Sequence, residues 1–157
     1  MVIFFLELNN IHQLTNLKLY IIKIKSKLLG CMENNLAKKK VLIVDDEEYL
    51  RQILVDVMDI NNIDSIAVDE GQKALEIYRK EKNDIGLVLL DLILPKETGV
   101  DTYKNLCKIN PKVKVIFMSG LGERDSIQSI PNHEEFEFLK KPFSMDEVTK
   151  KVVMSLS

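Results

Sequence analysis

A chain of 157 residues has room for one domain of ordinary size and little for a second. With 46% hydrophobic and 29% charged residues it reads as globular, not as fibrous or disordered. A net charge of −2 lacks the basic excess expected of a chain that binds nucleic acid directly.

The charge is uneven along the chain. Residues 1–40 hold seven lysines against Glu7 and Glu33, a balance of +5, which leaves −7 for the remainder. Met1–Leu8 is apolar but short, and Glu7 interrupts it. No run of about 18 apolar residues comes after it, so a spanning helix is not expected. Neither is a secretory signal, because no lysine precedes the apolar run and no small-residue cleavage site closes it. Leu17–Lys25 (LKLYIIKIK) partly alternates apolar and basic residues, and periodicity leaves strand and interfacial segment both open. A lysine-rich amphipathic segment could lie on a membrane, but membrane contact of residues 1–31 is the less favoured reading. Met32 opens MENNLAKKKVLIVDDEE, a natural start for a domain whose first strand begins near Lys40. Residues 1–37 are therefore expected to be an extension without its own fold, with Met32 the expected true start, and residues 38–157 the domain.

From Lys40 the pattern changes. Val41–Val44 is a β-branched and aliphatic run that ends in acid, Asp45, Asp46, Glu47 and Glu48. Tyr49, Leu50, Ile53, Leu54, Val57 and Met58 recur at helical spacing, and Asn61-Asn62 breaks the helix. Ser65–Val68 is a second strand. Glu70-Gly71 turns the chain into a second helix marked by Ala74, Leu75, Ile77 and Tyr78. Leu87–Leu90 is a third strand, ended by Asp91. Pro95 and Gly99 shape a loop before a third helix, which Asn110-Pro111 closes. Val113–Phe117 is predicted as the fourth strand and residues 121–130 as a weaker helix stopped by Pro131. Phe136–Leu139 is the fifth strand. Ser144 with Glu147 three residues on forms a capping box for the last helix, to Leu156. Five alternations of strand and helix predict an α/β, doubly wound, five-stranded parallel sheet with helices on both faces.

In such sheets ligands bind beyond the carboxyl ends of the strands. Those ends carry Asp45-Asp46, Asp91, Ser119-Gly120 and Lys140-Lys141-Pro142. Three carboxylates in one pocket repel each other and call for a cation; hard oxygen donors favour Mg²⁺. A lysine offers a point charge to phosphoryl oxygens, and a carboxylate beside Mg²⁺ can itself be the nucleophile. Taken singly, an acid after a strand is usually a cap or a solvated turn, which is the reading given to Asp69. Joint placement on one sheet edge is what favours chemistry. Cys31 and Cys107 form no CxxC pair, and His12 and His133 stand alone, so no thiolate or imidazole metal site is expected. Isolated thiols suit a reducing compartment, the cytoplasm.

The motifs VLIVDDEE (41–48), LVLLDLILPKETG (87–99), VIFMSG (115–120) and FLKKPF (138–143) together resemble the receiver domain of two-component response regulators, a flavodoxin-like fold. The resemblance implies that Asp91 accepts the phosphoryl group. It implies that Asp45, Asp46, Asp91 and the backbone carbonyl of Ile93 hold Mg²⁺, Asp46 directly and Asp45 mostly through water. Ser119 and Lys141 would meet the phosphoryl oxygens, leaving Lys140 exposed, and Ser119 with Phe138 would form the switch. Ile93 and Leu121 stand where the family tunes phosphoryl lifetime. The donors implied are a sensor histidine kinase or a histidine phosphotransfer protein, with an unknown protein target downstream. The last helix runs to Ser157 with no output domain after it, the pattern of a single-domain regulator or relay intermediate. Enzymatic turnover is not expected beyond self-phosphorylation and self-dephosphorylation. A haloacid dehalogenase-type phosphatase would need an acid at position 93, which is Ile, and no GxxxxGK occurs for a P-loop. A receiver fold used only for binding, without phosphorylation, is the remaining alternative.

Overall fold

The computed structural model describes residues 39–120 and 136–157. In chain order these form β1 (Lys40–Val44), α1 (Glu48–Ile60), β2 (Ser65–Val68), α2 (Gly71–Glu81), β3 (Ile85–Asp91), α3 (Gly99–Ile109), β4 (Val115–Ser119), β5 (Glu137–Lys140) and α4 (Met145–Leu156). All strand pairs are parallel and the sheet order is β2-β1-β3-β4-β5. The α/β doubly wound sheet expected from the sequence is the fold observed. The predicted helix over 121–130 lies outside the described residues, as do residues 1–38.

The period-2 geometry of the strands sorts their side chains onto two faces. Leu42, Val44, Val88, Leu90 and Phe117 pack with Ala74, Leu75 and Tyr78 of α2 and Val100 and Leu106 of α3. Val41, Ile43, Leu87, Leu89, Ile116 and Met118 pack with Leu54, Val57 and Met58 of α1 and Val148 and Val152 of α4. Helices thus cover both faces, which explains why the central strands read as unbroken apolar runs. Each fully buried aliphatic side chain contributes about 1.5–3 kcal/mol. Among the described residues no helix is long and apolar enough to cross a membrane.

Several boundaries differ from the sequence reading. β4 starts two residues later than expected, because the Val113 N–H is spent on a turn to the Asn110 carbonyl, and it runs through Met118 to Ser119. β5 is displaced by one residue; Phe136 sits before the ladder, among aromatic rings. α1 stops where expected, with Asn62 left-handed at φ 56°, a conformation asparagine tolerates. α2 begins at Gly71 itself. A Cβ there would collide with Thr102 Oγ1 of α3, so this glycine serves helix contact as much as the turn. Ser144 caps α4 as expected, accepting the Glu147 N–H at 3.2 Å.

Candidate acidic site at the carboxyl edge of the sheet

The two central strands deliver the carboxylates. β1 pairs with β2 and β3 up to Val44, and Asp45 comes directly after it, fully buried at 0% exposure. Its Oδ1 accepts the Glu47 N–H at 2.8 Å, closing an Asx turn that lifts the chain into α1. Asp46 lies at the apex of that turn and is exposed. Asp91 ends β3 and is 5% exposed. Its Oδ1 accepts the Ile93 N–H at 3.1 Å. The loop then folds back, with Ile93 bridged to Thr98 and the Gly99 N–H donating to the Leu92 carbonyl at 2.9 Å. Gly99 is obligatory there: a Cβ would run into the Asp91 carbonyl oxygen.

One oxygen from each of Asp45, Asp46 and Asp91 can be chosen so that all three lie within 4.8 Å of one another. From the other side Lys141 Nζ donates to Asp45 Oδ2 at 2.8 Å and to Asp91 Oδ2 at 2.5 Å. Lys141 reaches them because the chain re-crosses the sheet edge, its N–H bonded to the Ser119 carbonyl at 2.7 Å. Lys140 is exposed, as expected. Burial raises the Asp91 carboxyl to about 6; the Lys141 ammonium and the Ile93 N–H pull it down, and Asp45 pushes it up. For Lys141, burial works to lower the pKa, but the Asp45 and Asp91 carboxylates outweigh it and hold the ammonium above its usual range.

Three carboxylates against one ammonium leave the pocket at −2, and every donor is a hard oxygen. That donor set fits a divalent cation of the Mg²⁺ kind. Ser119 is fully buried at the end of β4, and its hydroxyl meets no hydrogen-bond partner among the described residues. Phe138 on β5 is half-buried and stacks on Phe117, ring centroids 5.8 Å apart; Phe117 also meets Tyr103 and Phe136 edge-on. Ile93 is 59% exposed at the rim. Leu121 lies outside the described residues.

The sequence reading gives no part to Arg51. Its Nη1 donates to the Asp45 carbonyl at 2.7 Å. A basic residue one turn into the helix after an acidic pair is the available signal, but it reads equally well as a surface charge.

Residues 41–153 match the response regulator receiver domain family. The chain belongs to that family. Sporulation initiation phosphotransferase F of Bacillus subtilis (strain 168) is 34% identical over 110 residues, covering 70% of this chain and 87% of that protein. Chemotaxis protein CheY of Thermotoga maritima is 31% identical over 113 residues, covering 71% and 92%. Among solved structures, a response regulator receiver domain protein of Clostridium thermocellum superposes with a TM-score of 0.69 at 25% identity, covering 75% of this chain and 94% of that one. The protein is thus a receiver of two-component phosphorelay signalling. Receivers take their phosphoryl groups from histidine kinases or phosphotransfer proteins, and this one carries an aspartate cluster able to hold a metal ion.

Proposed function

We propose that Asp91 is the phosphoacceptor, and that Asp45, Asp46, Asp91 and the Ile93 carbonyl hold Mg²⁺. The reading is carried by one observation: three strand-end carboxylates gathered within 4.8 Å, with Lys141 bridging two of them. Asp91 acts as the ionised nucleophile. Its carboxylate oxygen forms a bond to the phosphorus of a phosphohistidine while the P–N bond breaks, and the imidazole leaves with the electron pair. Bound Mg²⁺ would supply positive charge to the phosphoryl oxygens. Lys141 supplies a second positive charge, and its bond to Asp91 is free to pass to the phosphoryl group. Ser119, with its hydroxyl otherwise unengaged, donates to another phosphoryl oxygen. As Ser119 moves to the phosphoryl group it vacates space into which Phe138, stacked on Phe117 beforehand, turns, and this alters the β5 surface.

The chemistry ends at the acyl phosphate and its hydrolysis; no further turnover belongs to this site. The acting unit is residues 38–157, because every residue of the site lies between Asp45 and Lys141, with residues 1–37 an extension outside it. The unpaired thiol of Cys107 suits a cytoplasmic setting. The partners are a histidine kinase or a phosphotransfer protein and a protein target, without direct contact to nucleic acid.

The test is incubation with acetyl phosphate and Mg²⁺, read by intact mass. Wild type is expected to gain one alkali-labile adduct of about 80 Da, the mass of one phosphoryl group. Asp91→Asn is expected to gain none, because its amide has no nucleophilic oxygen anion. Full labelling of that variant would sink the assignment of Asp91. Continuous release of phosphate well beyond one equivalent would point to a phosphatase instead.

A further inference from the structure

We infer that Arg51 is a positioning residue for the acidic pair, fixing the peptide that aims Asp46 at the cation. The inference deepens the Mg²⁺-dependent reading proposed above and rests on it. The sheet pairing of β1 stops at Val44. Past that point Asp45 is anchored four ways, Lys141 on its Oδ2 at 2.8 Å being one of them. Its N–H donates to the Val68 carbonyl at 3.1 Å, its Oδ1 takes the Glu47 N–H at 2.8 Å, and its carbonyl takes Arg51 Nη1 at 2.7 Å. That carbonyl belongs to the peptide joining Asp45 to Asp46. The orientation of this peptide plane sets the direction in which the Asp46 side chain leaves the backbone. Asp46 is exposed, and among the described residues its carboxylate accepts no hydrogen bond. Its place in the carboxylate cluster is therefore inherited from the backbone, which the Asp45 side chain holds from the Glu47 N–H and Arg51 holds from the Asp45 carbonyl.

Arg51 is itself seated. Its N–H donates to the Glu47 carbonyl at 3.0 Å in the first turn of α1, and its side chain is half-buried. Its charge reaches Asp69, just past β2, and Lys73 in the first turn of α2, which are themselves paired at 2.6 Å. The helix thus returns a guanidinium to the loop that launched it.

Charge and position act in opposite directions here, which makes the inference testable. As a bare cation near the pocket, Arg51 repels Mg²⁺, and its removal would tighten binding. As a positioning group it keeps Asp46 in reach, and its removal weakens binding. Groups that orient metal ligands typically shift affinity ten-fold or more. Mg²⁺ binding to the full chain is measured by calorimetry for wild type, Arg51→Met, Arg51→Gln and Arg51→Lys, with thermal melting in the absence of Mg²⁺ to report the fold. Arg51→Met is expected to raise the Mg²⁺ dissociation constant roughly ten-fold, and Arg51→Lys, which retains a charged donor, to recover most of the loss. Labelling of Arg51→Met by acetyl phosphate should return to the wild-type rate at saturating Mg²⁺. Arg51→Gln keeps a polar group at a half-exposed position and carries the test should the methionine variant fail to fold; it too is expected to bind Mg²⁺ more weakly. Folded Met or Gln variants that bind Mg²⁺ as tightly as wild type, or more tightly, overturn the inference alone. A wild type that binds no Mg²⁺ overturns the functional reading and this inference with it.

Discussion

Asp91 is held near neutrality by burial, and this sets its response to pH. With its carboxyl raised to about 6, it is mostly ionised at pH 7 and takes up a proton as pH falls. A protonated carboxyl is a poor ligand, so Mg²⁺ affinity is expected to drop about ten-fold between pH 7.5 and pH 5. A pH-independent dissociation constant over that range would contradict it. Stability runs the other way. The folded value lies above the ordinary 3.8, so this group favours the fold at low pH, and that contribution is lost as pH rises through about 6. The loss is on the order of 1–3 kcal/mol. Asp91→Asn should therefore raise the melting temperature of the metal-free protein at pH 7 and much less at pH 4.5. At the rim, the exposed Ile93 side chain cannot orient a water molecule. Ile93→Asn is expected to shorten the phosphoryl lifetime, measured by the decay of the labelled mass; unchanged decay would show that the side chain leaves water access alone. Asp45, Asp46, Asp91 and Lys141 are legible in the sequence because each stands at or just past the end of a strand, where a charged residue interrupts an apolar run. Arg51 is not, because its partner is a backbone carbonyl, and a sequence carries no mark of which carbonyls lack a strand partner.

The loop between β3 and α3 is the element on which the site depends most closely. Asp91 and Ile93 lie at its start and Gly99 at its end, with the Gly99 Cα packed against the Asp91 carbonyl. Gly99→Ala would force backbone apart and is expected to cost about 1–3 kcal/mol, with weaker Mg²⁺ binding as well. Thr98 caps α3, its Oγ1 accepting the Asp101 N–H at 3.1 Å. Thr98→Ala should cost about 1 kcal/mol while leaving labelling of Asp91 intact. Denaturant titration beside a labelling assay separates the two effects. Strand existence is legible in the apolar runs, and strand ends are not. Val113 looks like a strand residue and draws the expected start of β4 too early, whereas its N–H is committed to a turn. Gly71 reads as a turn residue because its contact with Thr102 joins two helices far apart in sequence.

Across the whole molecule the sheet divides its labour. The carboxylates sit at or just past the ends of β1 and β3, each paired on both sides, while Phe138 and Lys140 belong to β5, which among the described residues pairs with β4 alone. Phosphorylation is expected to change amide exchange across residues 136–143 more than in β1 or β3; equal protection throughout would reject a switch at this edge. The counter-charge for the pocket also comes late in the chain, since Lys141 stands 96 residues after Asp45 and 50 after Asp91. In kinetic terms the carboxylates are expected to gather as β1 and β3 pair, and the ammonium to close over them when the last strand docks. An interaction absent from the folding transition state slows unfolding without speeding folding. Lys141→Met, which leaves buried carboxylates uncompensated, should therefore accelerate unfolding while leaving the refolding rate nearly unchanged in stopped-flow denaturant jumps. A variant whose refolding slows in proportion to its destabilisation would place the lysine in the folding nucleus. If the expectation holds, Lys141 is a latch on the finished receiver, governing how long the fold persists but not how fast it forms.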